Sequence, residues 1–347
     1  MFLPLSYTWY VNNTRLDGVA TEIYSFIVTK DIKYNQYTCQ SKENLESEKS
    51  KEIRVNPLYG PESVMINPQP LNDTITIKNG EPFGPYTCSA DCNPPCTLQW
   101  KYKHPSGDFV NYTPHGISPL LLPKQNADRT RMTLVRCVAN NSEGRKKQGI
   151  KLNILYSMDP QVYINKKIQN SSIMNEDKPL SLTCLVRGNP TPKVTLKNLT
   201  GDKIIGENPL YFTFKTVAKC SDTGTYSCQG KSTEFGSRNQ SFHINVSCAP
   251  RLDDSILFKS IYGSKSGPNV NVDVSLPVIA NPLTSTSEFS WSGPTSESIS
   301  IKVSQRDNVI YKHWINSTIP VPTKRSFGNY TLTYKGEVFV EITINAE

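Results

Sequence analysis

Apolar and polar residues alternate with a period of two along most of this chain, and the 3.6-residue spacing of an amphipathic helix is scarce. The stretch VNVDVSLPV sets Val272, Val274, Leu276 and Val278 on one face of an extended strand, and SFHINVSC does the same for Phe242, Ile244, Val246 and Cys248. Such runs are short and end at Gly, Pro or Asn turns, which predicts an all-β chain of sandwiches. At 347 residues the chain exceeds one ordinary core, so two to four domains are expected.

The strand pattern also repeats. NQYTCQS holds Tyr37 and Cys39, DTGTYSCQG holds Tyr226 and Cys228, and FGNYTLTYKG holds Tyr330 and Leu332. In each, a Tyr precedes a core-facing position by two residues, so both side chains share a strand face. A fourth copy, LVRCVANNSEG, carries Val135 and Cys137 instead, and Cys39, Cys137, Cys228 and Leu332 are spaced by 98, 91 and 104 residues. Upstream, Cys88 precedes Trp100 by twelve residues, Cys184 precedes Leu196 by twelve, and Val278 precedes Trp291 by thirteen.

Composition then narrows the setting. Ten N-x-[ST] sequons occur, at Asn12, Asn72, Asn111, Asn140, Asn170, Asn198, Asn239, Asn245, Asn316 and Asn329, beside nine cysteines. Together they point to the secretory pathway and to disulfide chemistry. No run approaches 18 apolar residues, so no membrane span is expected within the chain, and MFLPLSYTWYV lacks the basic start and cleavage site of a signal peptide. The net charge of +8 is scattered, its tightest cluster being Arg145-Lys146-Lys147. That triplet reads as a solvated hairpin, with contact to heparin or a membrane surface as the alternative.

The motif Asp222-x-Gly224-x-Tyr226-x-Cys228, with the Cys-to-Trp spacings upstream, resembles the immunoglobulin superfamily across essentially the whole chain. The resemblance implies tandem sandwiches in an extended rod, joined with little slack at NPLYGPE, ILYSMDP and SCAPRLD. Residues 1–58 would be a truncated domain starting at its third strand, followed by domains at 59–156, 157–248 and 249–347. The last lacks the core cysteines and has Val278 and Leu332 in their places, with a fibronectin type III domain as the alternative. Trp9, Trp100, Leu196 and Trp291 would fill the cores, and Tyr226 would form the tyrosine corner, with Tyr37 and Tyr330 at matching positions. The second domain lacks this tyrosine, so its turn must be held otherwise.

The same resemblance assigns the cysteines. Cys88–Cys137 and Cys184–Cys228 become cross-sheet bridges and Cys92–Cys96 a local clip around Asn-Pro-Pro. Cys220 and Cys248, which the family pattern does not require, would lie at one pole of the sandwich and bond at the root of the last joint, with two free thiols as the alternative. Cys39 is left unpaired, its expected partner lying in a strand ahead of this sequence, with an intermolecular bond as the alternative. Zinc at Cys88, Cys92 and Cys96 would need a fourth ligand, and His104 is the nearest candidate, with no second cluster behind it.

Catalytic patterns are missing from the sequence. His104, His115, His243 and His313 belong to no H-E-x-x-H, and no nucleophile elbow, Walker loop or dinucleotide turn occurs. Glu43, Glu46, Glu48 and Glu52 interleave with Lys42, Lys49 and Lys51 as a solvated edge. Trp314 is expected in the core of the second sheet, or else as an exposed binding anchor. No cofactor, metal or nucleic-acid partner is expected. The resemblance, closest in kind to nephrin-, CEACAM-, siglec- and hemicentin-like multidomain proteins, implies an extracellular, non-enzymatic binding module of an adhesion or immune-recognition receptor. Its partner would be a cell-surface or matrix protein, homophilic or not. The rivals are a secreted matrix protein and the ectodomain of a receptor kinase or phosphatase.

Overall fold

The computed structural model describes residues 5–43 and 45–347. These form strands, turns and three-residue 3-10 segments, with no α-helix among the described residues. The chain divides into two compact units between Leu155 and Tyr156.

The first unit opens with one sheet, ordered Thr14–Arg15, Ser6–Val11, Gln36–Lys42 and Ile53–Arg54. Trp9 pairs with Cys39, and Val11 with Tyr37. Tyr24 and Phe26 fold over this sheet, Tyr24 lying 5.7 Å from Trp9 and Phe26 stacking 4.9 Å from Tyr37. Tyr37 is buried, whereas Cys39 is half-buried and free.

A full sandwich follows. One sheet runs Phe109–Asn111, Thr97–Lys103, Leu134–Asn140 and Arg145–Ser157, with Thr74–Lys78 parallel to the last. The other runs Leu120–Leu122, Tyr86–Ser89 and Met65–Asn67. Trp100 is buried beside the Cys88–Cys137 bridge, whose Cα atoms are 6.3 Å apart. Its Nε1 donates to the Leu120 carbonyl at 3.1 Å, and Leu120 pairs with Cys88. The indole thus satisfies its one polar group at the level of the bridge, as a buried Trp requires. The turn lacking a corner tyrosine is held by Asp128, whose Oδ1 accepts from the Thr130 amide at 2.8 Å and hydroxyl at 2.6 Å.

The second unit begins with a sandwich around Cys184–Cys228, Cα atoms 5.5 Å apart. Leu196 is buried where a tryptophan would stand, opposite Cys228 and Gly206. The Phe212 ring from the facing sheet lies where a Cβ on Gly206 would project, and it supplies the aromatic volume that Leu196 does not. Tyr226 donates its hydroxyl to the Asp222 carbonyl at 2.8 Å.

In the last sandwich Ser300–Gln305, Lys312–Pro320 and Asn271–Asn281 form one sheet, and Ile261–Ser264, Glu337–Ala346, Gly328–Tyr334 and Phe289–Ser292 the other. With the end of Gly236–Leu252 pairing to Asn271–Asn281 as a fourth strand and Ser300–Gln305 beside Lys312–Pro320, the sheets have the four-plus-three division of an immunoglobulin constant-type domain, with Ile261–Ser264 added parallel to Glu337–Ala346. Tyr330 donates to the Ser326 carbonyl at 2.7 Å, the same corner that Tyr226 makes.

Two expectations need correction here. Trp291 pairs with Leu332, and its Nε1 donates to Ser317 Oγ at 2.9 Å, but Ser317 pairs with Val274. By the relation seen at Trp100, Leu120 and Cys88, Val274 stands at the cysteine level, and Val278 lies four residues beyond it. Val278 and Leu332 are both buried, but Val278 pairs with His313 and Leu252 at the end of the sandwich. The connection to Trp291 is longer than in the other domains because the turn includes the 3-10 segment Thr286–Glu288. Trp314 is not in the core. Its strand turns His313, Ile315, Ser317 and Ile319 inward, and Trp314 lies half-buried on the outer face, 5.2 Å from the Arg306 guanidinium.

Candidate interaction surfaces

Where a chain of sandwiches acts by contact, its joints decide which loops and edges are presented together. The first joint lies within the first unit. Cys92 and Cys96 are bonded, with Cα atoms 5.6 Å apart, and all three cysteines of that stretch are committed to S–S bonds. The turn they close docks onto the connector. Asn93 exchanges backbone hydrogen bonds with Tyr59 at 2.7 and 3.0 Å, and its side-chain amide donates to Asn56 Oδ1 and the Pro57 carbonyl at 2.6 Å. Asn141 completes the seat by donating to the Tyr59 and Pro94 carbonyls at 3.0 and 2.9 Å. Gly60 passes so close to Gly144 that an added Cβ would fall 2.9 Å from its nitrogen. The clip therefore shapes the surface that holds the joint.

The second joint is a continuous strand. Gly236–Leu252 closes one sandwich and then pairs through Cys248, Arg251 and Leu252 with Asn271–Asn281 of the next. Cys220 and Cys248 are bonded where it crosses, Cα atoms 5.7 Å apart. Glu176 receives two hydrogen bonds of 2.8 Å from Arg251 and one of 3.0 Å from the Cys220 amide. The Arg251 bonds lead in holding its carboxyl below the usual range, against a cost of burial. The Asn281 amide donates to Asn245 Oδ1 at 2.5 Å, to the Val246 carbonyl at 2.8 Å and to Thr223 Oγ1 at 3.3 Å. Just beyond, Asp253 and Arg306 form an ion pair in which both side chains are under 5% exposed. His313 Nε2 lies 3.0 Å from the Ala280 carbonyl, and burial, with the Arg306 charge as a lesser cause, pushes its pKa down.

Of these groups, sequence reasoning assigned a structural part only to the cysteines; Asn245 stood out as a sequon and His313 only as a histidine outside any catalytic motif. Glu176 and Arg251, or Asn245 and Asn281, are far apart in the chain, and the sequon at Asn245 gives no hint of its contact with Asn281. The signal that existed was slight, a charged residue in SCAPRLD three positions after a cysteine.

The sequons are unequally placed. Asn12, Asn72, Asn111, Asn140, Asn170, Asn239 and Asn329 are exposed, whereas Asn198, Asn245 and Asn316 are half-buried. Asn198 Oδ1 accepts from the Thr200 and Gly201 amides, and Asn316 bonds Ser275 and Ser304 across its sheet. Among the described residues no group of three or more His, Cys, Asp or Glu is placed to hold a metal ion, and no helix is long and apolar enough to cross a membrane.

Paired sheets, cross-sheet bridges and tyrosine corners define a tandem immunoglobulin-domain protein. Residues 164–246 match the immunoglobulin domain family. The chain is 23% identical over 296 residues to neural cell adhesion molecule 1 of Gallus gallus, covering 79% of this chain and 25% of that protein. It is 25% identical over 232 residues to hemicentin-1 of Mus musculus, covering 63% of this chain and 4% of that one. It therefore spans a quarter or less of the length of these curated relatives. A crystal structure of Dpr2 Ig1–Ig2 in complex with DIP-Theta Ig1–Ig3 superposes with a TM-score of 0.54 at 13% identity, over 82% of this chain and 100% of that one, a likeness of fold. Residues 164–246 thus carry an immunoglobulin domain, and the chain as a whole has the fold of tandem immunoglobulin-like sandwiches.

Proposed function

We propose that this chain is the extracellular binding segment of a cell-adhesion or recognition receptor, acting through protein–protein contacts and not through catalysis. The observation that carries the reading is the pair of built joints. Side-chain hydrogen bonds at Asn93 and Asn141, and at Glu176, Arg251 and Asn281, fix neighbouring domains, so that loops and sheet edges of two domains face a partner as one surface. The likeness to neural cell adhesion molecule 1 supports it, as do the disulfides and sequons, which suit a protein outside the cell, anchored or secreted. The test is a bead-clustering and cell-binding assay with the glycosylated chain. Clustering of coated beads, or saturable capture by cells that is lost after protease treatment of their surface, is expected. Neither occurring at micromolar concentration would sink the reading. The likeness to hemicentin-1 favours a second one, a structural component of extracellular matrix, for which deposition into cell-laid matrix would be the corresponding outcome.

A further inference from the structure

The Arg-Lys-Lys triplet belongs to a larger feature. Register places Lys101 and Lys103 beside Arg136 and Leu134, and these beside Gly149 and Lys151, with Val138 next to Lys147 and Asn140 next to Arg145. Directly paired residues point to the same side of a sheet. Lys101, Lys103, Arg136, Arg145, Lys147 and Lys151 therefore share the outer face of the second domain's large sheet, opposite the side that carries Cys137 and Trp100. With strands about 4.8 Å apart and alternate residues about 6.6 Å apart, each cation has another within about 10 Å. None of these six forms an ion pair among the described residues, and the strands Thr74–Lys78, Thr97–Lys103, Phe109–Asn111, Leu134–Asn140 and Arg145–Ser157 contain no Asp or Glu. The nearest carboxylates are at the margins: Asp73 beside Lys151, Asp108 in the turn after Lys103, and Glu143 at the hairpin tip. At the centre, the Arg136 guanidinium lies 3.3 Å from the Phe109 ring centroid, its Nε is buried without a hydrogen-bond partner, and it lines a shallow depression with Arg145, Lys146 and Lys147.

We propose that this face binds a linear sulfated polysaccharide of the glycosaminoglycan class, its sulfates bridging Arg136, Lys147 and Lys151 and the neighbouring cations. Like charges gathered without counter-charges cost free energy unless an anion joins them, and arginine and lysine donate charge-assisted hydrogen bonds to sulfate oxygens. A protein partner fits less well, because protein interfaces are depleted in lysine. Single-stranded nucleic acid needs a run of free aromatic faces for stacking, whereas Phe109 is covered by Arg136 and His115, at the edge of this face, offers a single small ring. The inference is independent of the adhesion reading and uses a different surface from the joints.

The test uses the whole chain with its glycans trimmed to a single sugar, since Asn111 and Asn140 border the same face. Binding is measured on immobilised heparin, on chemically desulfated heparin, on a DNA oligonucleotide and on poly-glutamate. The expected result is saturable binding to heparin that weakens steeply as salt rises, with little binding to the other three. The Lys147→Gln/Lys151→Gln variant changes only exposed side chains and should bind about tenfold more weakly near physiological salt. A control with the same charge loss elsewhere, Lys167→Gln/Lys203→Gln, should bind as the parent does. Equal weakening in both variants, unchanged binding in the first, no binding by the parent, or equal or tighter binding to any of the other three surfaces would overturn the proposal. Unfolding midpoints of the variants are compared so that a folding defect is recognised.

Discussion

The buried pair Asp253–Arg306 lends itself to a quantitative test, because both partners are almost wholly out of water. Asp253 Oδ1 also accepts from the Ser255 amide at 3.1 Å and hydroxyl at 2.5 Å, so the carboxylate is satisfied on both oxygens. Arg306 is less well provided, with Nη1 buried and without a hydrogen-bond partner. Replacing Asp253 with Asn keeps the shape and removes the charge, leaving the guanidinium buried without its counter-ion. Breaking such a pair from one side costs about 3–5 kcal/mol, whereas exchanging both partners for apolar residues of similar size is near neutral. Asp253→Asn should therefore destabilise the last sandwich by about 3 kcal/mol or more, and Asp253→Leu/Arg306→Met should recover most of that loss. Hydrogen exchange of the strands Asn271–Asn281 and Lys312–Pro320 reads this domain separately from the others. A loss below about 1 kcal/mol for Asp253→Asn, or a double variant whose loss equals the sum of the two singles, would show that the pair does not behave as a buried one.

Three further outcomes are expected. Asn245 should be unmodified in peptide mapping of the secreted protein, since its side chain is engaged by Asn281 in the joint, and Asn281→Ala should raise its occupancy; full occupancy in the parent would refute this. Arg251→Ala should loosen the same joint by only about 1 kcal/mol, because Arg251 is 48% exposed and solvent screens the pair, and faster exchange at residues 248–252 would report it. Burial lowers the pKa of His313 in the folded state, so the unfolded chain takes up its proton first. Stability of the last sandwich should then be full above about pH 6.5 and decline as pH falls below it, and His313→Gln should flatten that slope in acid-range unfolding curves.

The parts of the fold legible in sequence were those tied to a fixed spacing. A bridge between facing sheets, a large residue packed against it and a tyrosine bonding back at the turn each demand particular residues at set intervals, so Cys88, Trp100, Cys184 and Tyr226 stand out from the chain. Once the cysteines are gone the marker is lost. Val272, Val274, Leu276 and Val278 all face the same core, and alternation alone does not say which one is level with Trp291. The strand carrying Trp314 misleads for a related reason. Its inward positions include His313 and Ser317, polar residues that are inside because one meets the Ala280 carbonyl and the other receives the Trp291 indole. Reading hydrophobicity there assigns the strand to the wrong face by one residue. The joints were the least legible, since their contacts pair ordinary Asn, Glu and Arg side chains that only the folded chain brings together. Yet the joints are where a tandem protein differs from its separate domains: a Gly236–Leu252 strand shared by two sheets means that a change near Cys248 is felt in both. Under the proposed role, residues that no motif marks would govern how two domains present a common surface, and Asn281→Ala or Glu176→Ala should weaken bead clustering without touching a ligand; clustering equal to that of the parent would count against it.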